Sequence, residues 1–82
     1  MYQVVLQTSA KNFLGKLDNS SQKEIIKKLE KLETNPQLGK PLTANLAGSW
    51  SLRIGKYRAV YIIKDDELVV LILRLGHRKN IY

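Results

Sequence analysis

The sequence predicts an α+β fold: a mostly antiparallel four-stranded sheet packed against an N-terminal helical hairpin, in the order β-α-α-β-β-β. Three observations predict it. Residues 2 to 7 alternate apolar and polar with period two, residues 9 to 34 carry two apolar stripes at helical spacing, and residues 50 to 75 hold three strand-like runs separated by the short turns "GK" and "KDDE".

Each element follows from its residues. Tyr2, Val4 and Leu6 alternate with Gln3, Val5 and Gln7, the pattern of a strand with one buried face. Ser9 is placed to cap a short helix in which Ala10, Phe13, Leu14 and Leu17 fall on one stripe. After the turn "DNSS", Ser21 and Glu24 form a capping-box signal for a longer helix, with Ile25, Ile26, Leu29 and Leu32 as its buried stripe. Lys23, Lys27, Lys28, Glu30 and Lys31 are expected to face water; Lys27 and Lys31 could touch a polyanion, but a helix face rich in Lys and Glu is more often just solvated. That helix should stop near Thr34, because Pro36 biases Asn35 away from helical geometry. Residues 35 to 49, "NPQLGKPLTANLAGS", hold both prolines and read as a loop. In the next strand Trp50, Leu52 and Ile54 alternate with Ser51, Arg53 and Gly55; "YRAVYIIK" follows, and "LVVLILRL" is apolar enough to be an interior strand.

At 82 residues the chain is expected to form a single domain, 1 to 82, near the lower size at which one core offsets chain entropy. It has no cysteine, which removes disulfides and thiolate metal sites and suits a reducing, cytoplasmic setting. The first residues lack a basic leader ahead of a long apolar stretch, and the apolar run "LVVLIL" is too short to span a bilayer, so neither secretion nor membrane insertion is expected.

Charge is the strongest compositional signal. The chain carries a formal net charge of +7, unevenly spread. Residues 1 to 39 hold six lysines against four acids, whereas residues 40 to 82 hold eight basic residues against three acids, and all four arginines lie there. A guanidinium presents a rigid fork of donors that matches phosphate, so arginines on strands point toward a polyanion such as nucleic acid.

Strand periodicity puts Arg53 on the face away from the core, with Arg58 beside it across the "GK" turn and Arg78 just past Gly76, so that three guanidinium groups converge with Lys56 at their rim. Such a surface can hold successive phosphates of a single strand, with Lys79 near the tail and the ring of Tyr82 stacked on a base. Trp50, Tyr57 and Tyr61 are expected in or beside the core instead. No glycine-rich phosphate loop and no His or Cys cluster with metal-ligand spacing occurs, and Asp65, Asp66 and Glu67 sit in a turn expected to be distant from the basic face. This pattern argues against a metal nuclease and any cofactor. If phosphodiester chemistry occurs, it is feasible for RNA, where the 2′-hydroxyl attacks the adjacent phosphorus while cations stabilise the pentacovalent centre.

The helical hairpin followed by "WSLRIGKYRAVYII", an acidic turn and "LVVLILRLGHRKNIY" resembles the RelE/ParE superfamily of toxins from prokaryotic toxin–antitoxin modules, over essentially the whole chain. The "YR.VY" strand at 57 to 61 and the "GHR" with a following tyrosine at 76 to 82 carry the resemblance most specifically, and it is nearest the RelE branch. The resemblance implies an endoribonuclease that cuts mRNA in the ribosomal A site and leaves a 2′,3′-cyclic phosphate. It implies Arg78 as the general acid toward the leaving oxygen, Arg58 as the stabiliser of the phosphate and Tyr82 as the stacking aromatic. Bacterial RelE proteins place two lysines on the outward face of the second strand, where Ser49 and Ser51 stand here and only Arg53 fits. The base is then Lys56 or His77, with His77 favoured because related ribosome-dependent toxins use a histidine beside the C-terminal aromatic. The implied partners are a RelB-like antitoxin, the ribosome with its mRNA, and operator DNA through the antitoxin complex. Two other functions fit the same residues: a ParE-like toxin that binds DNA gyrase without chemistry, and a non-toxic RNA-binding domain.

Overall fold

The structure is a computed structural model, and it describes residues 1–79. Strand β1 (Gln3–Leu6) leads into helix α1 (Thr8–Gly15) and helix α2 (Asn19–Glu30), then come the short strand β2 (Lys40–Pro41) and the strands β3 (Trp50–Ile54), β4 (Tyr57–Lys64) and β5 (Val69–His77). The five strands form one sheet in the order β1-β5-β4-β3-β2. β1 runs parallel to β5 and every other neighbouring pair is antiparallel. The α+β class and the interior position of β5 are as the sequence predicts.

The sheet has five strands where four were expected. Inside the loop after α2, Lys40 pairs with Ser51 and Pro41 with Trp50, adding a two-residue edge strand. Proline, which lacks the backbone donor, is tolerated on such an edge. The loop is pinned by Tyr61, whose phenol oxygen accepts a hydrogen bond from the Gly39 N–H at 3.0 Å and donates one to the Pro36 carbonyl at 2.7 Å. Burial pushes that phenol above the usual tyrosine range, against the smaller, opposite pull of the Gly39 N–H. Gly39 is required by close approach, since a Cβ there would stand 2.4 Å from the Ser51 carbonyl oxygen.

Both helices cover one face of the sheet. Ile25, Leu29 and Leu32 meet Leu52, Ile54, Tyr57, Ala59, Tyr61, Val70, Ile72 and Leu75 in a continuous core. Each such large apolar side chain contributes about 1.5–3 kcal/mol on burial. Ile26, expected in the stripe, is 44% exposed, because it is rotated a quarter-turn or so from the line that Ile25 and Leu29 share. The expected caps also differ. α1 begins at Thr8 with Gln7 at its N-cap, and the Ser9 hydroxyl donates instead to the Leu73 carbonyl at 3.1 Å. α2 begins at Asn19 with Asp18 at the N-cap, so Ser21 lies within the first turn and accepts a hydrogen bond from the Tyr57 hydroxyl at 3.3 Å. The Ser21 hydroxyl holds the Asp18 carboxyl below the usual carboxylate range.

One irregularity decides what the far end of β5 presents. Tyr61 pairs with Ile72 but Val60 pairs with Arg74, so Leu73 is an extra residue in β5. Such a β-bulge shifts the alternation by one. Val70 and Ile72 face the helices before it, and Leu75 faces them after it, while Arg74 is turned out to the opposite face. Among the described residues no helix is long and apolar enough to cross a membrane.

Candidate nucleic-acid interface

The site grows from the β3–β4 hairpin. Ile54 pairs with Tyr57 across the two-residue loop Gly55–Lys56. Gly55 has φ +59° and no positive φ occurs at Lys56, the pattern of a type II′ turn, whose first position favours glycine. A side chain at Gly55 would also meet the Glu24 carboxylate, which lies 2.8 Å from the position of its Cβ. This turn sets the register in which Arg53 and Arg58 are direct cross-strand partners on the helix-free face. Side chains so paired start about 5 Å apart. Arg58 in turn faces Gly76 on β5.

The chain leaving β5 is tied to the same hairpin. The Arg78 N–H donates to the Lys56 carbonyl at 3.0 Å, and Arg78 Nη1 donates to the Gly55 carbonyl at 3.3 Å. Arg53, Lys56, His77, Arg78 and Lys79 consequently line one cleft of about 550 Å³ around Gly55. Arg58 lines a neighbouring cleft of about 470 Å³ with Arg53, Lys28, Lys40 and Ser51. Among the described residues no acid lines either cleft. Cations gathered this closely raise the local positive potential, a field that favours a polyanion.

The two expected bases sit together, though not above the paired arginines. The His77 ring packs edge-on against Phe13 at 5.8 Å between centroids and lies tilted on Tyr57 at 5.2 Å. Lys56 Nζ is 5.6 Å from the centroid of the same Tyr57 ring. Tyr57 belongs to the core face, so the imidazole and the ammonium flank the hairpin tip from the helix side while the Arg53–Arg58 pair lies on the other. The bulge at Leu73 is the reason, because it puts His77 in phase with Leu75. Trp50, Tyr57 and Tyr61 are core or core-edge rings as expected, Trp50 stacking on Tyr61 at 6.4 Å. Tyr82, the expected stacking aromatic, lies outside the described residues.

Asp65, Asp66 and Glu67 form the β4–β5 turn at the opposite end of the ladder, since Tyr57 pairs with His77 and Lys64 with Val69. Seven residues of strand separate those pairs, roughly 23 Å. There the Tyr2 hydroxyl donates to Asp65 Oδ1, which raises the Tyr2 pKa, and Lys64 pairs with Glu67 at 3.5 Å. Among the described residues no three His, Cys, Asp or Glu side chains come together as a metal site requires.

Sequence reasoning missed three cations. Arg74 is exposed on the Arg58 face, opposite Val60, and an arginine within an otherwise apolar strand was the signal for it. Lys28 and Lys40 line the second cleft and gave no signal, because their placement depends on how the loop after α2 folds back along β3.

A helix-backed sheet whose helix-free face ends in a cationic hairpin defines a small α+β domain with one basic end. The family described as "ParE toxin of type II toxin-antitoxin system, parDE" matches residues 4–82. The chain belongs to the RelE/ParE superfamily of toxins of type II toxin–antitoxin systems. It is similar to Toxin RelG of Mycobacterium tuberculosis, at 50% identity over 46 residues that make up 56% of this chain and 53% of RelG. That matched stretch spans about half the length of RelG. A putative RelE-like toxin protein of Escherichia coli is 29% identical over 81 residues, 96% of this chain and 85% of that one. Among solved structures, a chain of the toxin–antitoxin complex RelBE2 from Mycobacterium tuberculosis superposes with a TM-score of 0.86 at 38% identity, covering 94% of this chain and 98% of that one. The isolated Escherichia coli RelE toxin shares the fold, with a TM-score of 0.80 at 21% identity, covering 94% and 84%.

Proposed function

We propose that this toxin is a ribosome-dependent endoribonuclease that cuts mRNA in the ribosomal A site by 2′-hydroxyl attack, without a metal or other cofactor, and so stops translation. The observation that carries the reading is the tethering of Arg78 to the tip of the hairpin that pairs Arg53 with Arg58. In this mechanism Arg53 and Lys79 hold the flanking phosphates, and Arg58 stabilises the two negative oxygens of the pentacovalent phosphorus. A base takes the 2′-hydroxyl proton as the new O–P bond forms. Arg78 donates to the departing 5′-oxygen, leaving a 2′,3′-cyclic phosphate and a 5′-hydroxyl. The base is His77 or Lys56, which share the Tyr57 ring beside Arg78. An imidazole is the side chain suited to exchange a proton near neutral pH, which favours His77. Tyr82 supplies the base-stacking ring. The fold places few groups for chemistry, so bending the substrate in line falls to the ribosome.

The partners follow from the same reading. A RelB-like antitoxin covers the basic clefts, as its charge complement, and operator DNA is bound through that complex. RelBE complexes among the similar structures support an antitoxin partner. The molecule works in the cytoplasm, where ribosomes are.

A second reading has its own support, because the matching family is named for ParE. In it the same fold poisons DNA gyrase by binding alone. Purified protein added to programmed ribosomes separates the two. New RNA 5′ ends inside the A-site codon, absent with Arg78→Ala, support the nuclease. Intact mRNA together with stalled gyrase overturns it.

A further inference from the structure

The cationic surface continues past the hairpin. Arg53 lines a third cleft, of about 210 Å³, whose other wall is α2 and its C-cap through Glu24, Lys27, Lys28 and Lys31. Arg53 therefore joins three clefts into one band, which collects nine of the chain's fourteen lysines and arginines and only one of its seven acids. β2 covers β3 only at Trp50 and Ser51, which leaves the β3 edge at Arg53 and Ile54 open toward α2.

A Lys/Glu helix face that is merely solvated favours ion pairs at i, i+4, and Glu24 with Lys28 has the favourable polarity. That pair does not form. Among the described residues the one ion pair within 4 Å is Lys64–Glu67, at the far end of the sheet. The Glu24 carboxylate instead lies against Gly55. Three lysines on one side of a helix are thus left unneutralised and face an arginine across an open groove.

We propose that the α2–β3 groove is a second seat for an RNA backbone, in which Lys27, Lys28 and Lys31 with Arg53 bind the phosphates of the strand as it leaves the cleavage cleft. This rests on the reading that the cleft itself takes RNA. Arg53 is the shared contact, so cutting and holding are mechanically linked: the seat fixes the strand while the hairpin end positions the scissile phosphate.

The test uses the full chain and a fluorescent single-stranded RNA with every 2′-hydroxyl methylated, so that binding is read without cleavage. Anisotropy titrations across a salt series compare the protein with Lys27→Gln/Lys28→Gln/Lys31→Gln, substitutions that keep helix propensity and that circular dichroism can verify as folded. Removing three phosphate contacts should weaken binding about 10- to 100-fold at low salt and make the salt slope shallower by about 2, at roughly 0.7 per contact. Equal affinity and slope in the two proteins overturn the proposal. A poly-glutamate of matched length that binds as tightly through the same lysines also overturns it, and assigns the groove to an acidic protein. The nuclease reading fails separately: if A-site mRNA stays intact while the lysine-dependent slope remains, the seat stands and the chemistry falls.

Discussion

The two ends of the β4–β5 ladder are built alike and charged oppositely. Each is a tight connection between antiparallel strands, Gly55–Lys56 beside His77 at one end and Asp65–Glu67 at the other. At the acidic end the charges are satisfied locally, Asp65 by the Tyr2 hydroxyl and Glu67 by Lys64. At the basic end Arg53, Lys56, Arg78 and Lys79 surround an open cleft that no acid among the described residues lines. The acidic turn thus has its charges met by neighbours, whereas the basic end gathers like charges, which is what the proposed RNA contact requires. Such a charge asymmetry would turn the basic end toward the RNA in the proposed function.

The comparison can be broken at either end. The largest effect is expected from Arg78→Ala, which removes both the proposed proton donor and a strut of the hairpin and should slow A-site cleavage about 10²- to 10⁴-fold, measured as the single-turnover rate on programmed ribosomes. Arg58→Ala should follow, with a loss of about 10²- to 10³-fold in the same assay, in proportion to the stabilisation of developing charge that the proposed mechanism assigns to it. Tyr61→Phe acts on the fold and not on the chemistry. Leaving the Gly39 N–H and Pro36 carbonyl without their partner should cost about 1–3 kcal/mol in urea unfolding. The same phenol gives a signed pH dependence: its folded pKa is raised, so its contribution is complete below the ordinary tyrosine value and is lost as pH rises beyond it. The alkaline fall in stability should shrink in Tyr61→Phe. The smallest effect belongs to Asp66→Asn at the acidic end, which should change stability by less than about 0.5 kcal/mol and leave cleavage within about twofold.

Much of the fold is legible in the sequence because period and turn chemistry are local. Alternation in "WSLRIGKYRAVY" was enough to set Arg53 beside Arg58, since a two-residue loop with glycine first admits few registers. The errors are of another kind. Ser9 fits a capping position, yet its hydroxyl serves Leu73, distant in sequence, and Ser21, expected at the cap, sits in the first turn between Asp18 and the distant Tyr57 hydroxyl. β2 depends on Gly39 approaching the Ser51 backbone, which no local pattern records. The bulge at Leu73 matters most for the site: uninterrupted alternation from Val70 and Ile72 would bury Arg74 and send His77 to the arginine face. The α2 lysines were expected to be solvated, and only the tertiary placement of Arg53 across the groove gives them a second meaning.

The account's central claim is that the gathered guanidinium groups promote attack by the substrate's own 2′-hydroxyl. The most direct measurement places a single 2′-deoxynucleotide on the 5′ side of the scissile bond in an A-site codon and analyses the RNA ends. The account predicts that cleavage at that bond disappears, and that the all-ribose control ends in a 2′,3′-cyclic phosphate. Undiminished cutting of the deoxy-substituted mRNA, or a 3′-hydroxyl end on the control, would contradict it.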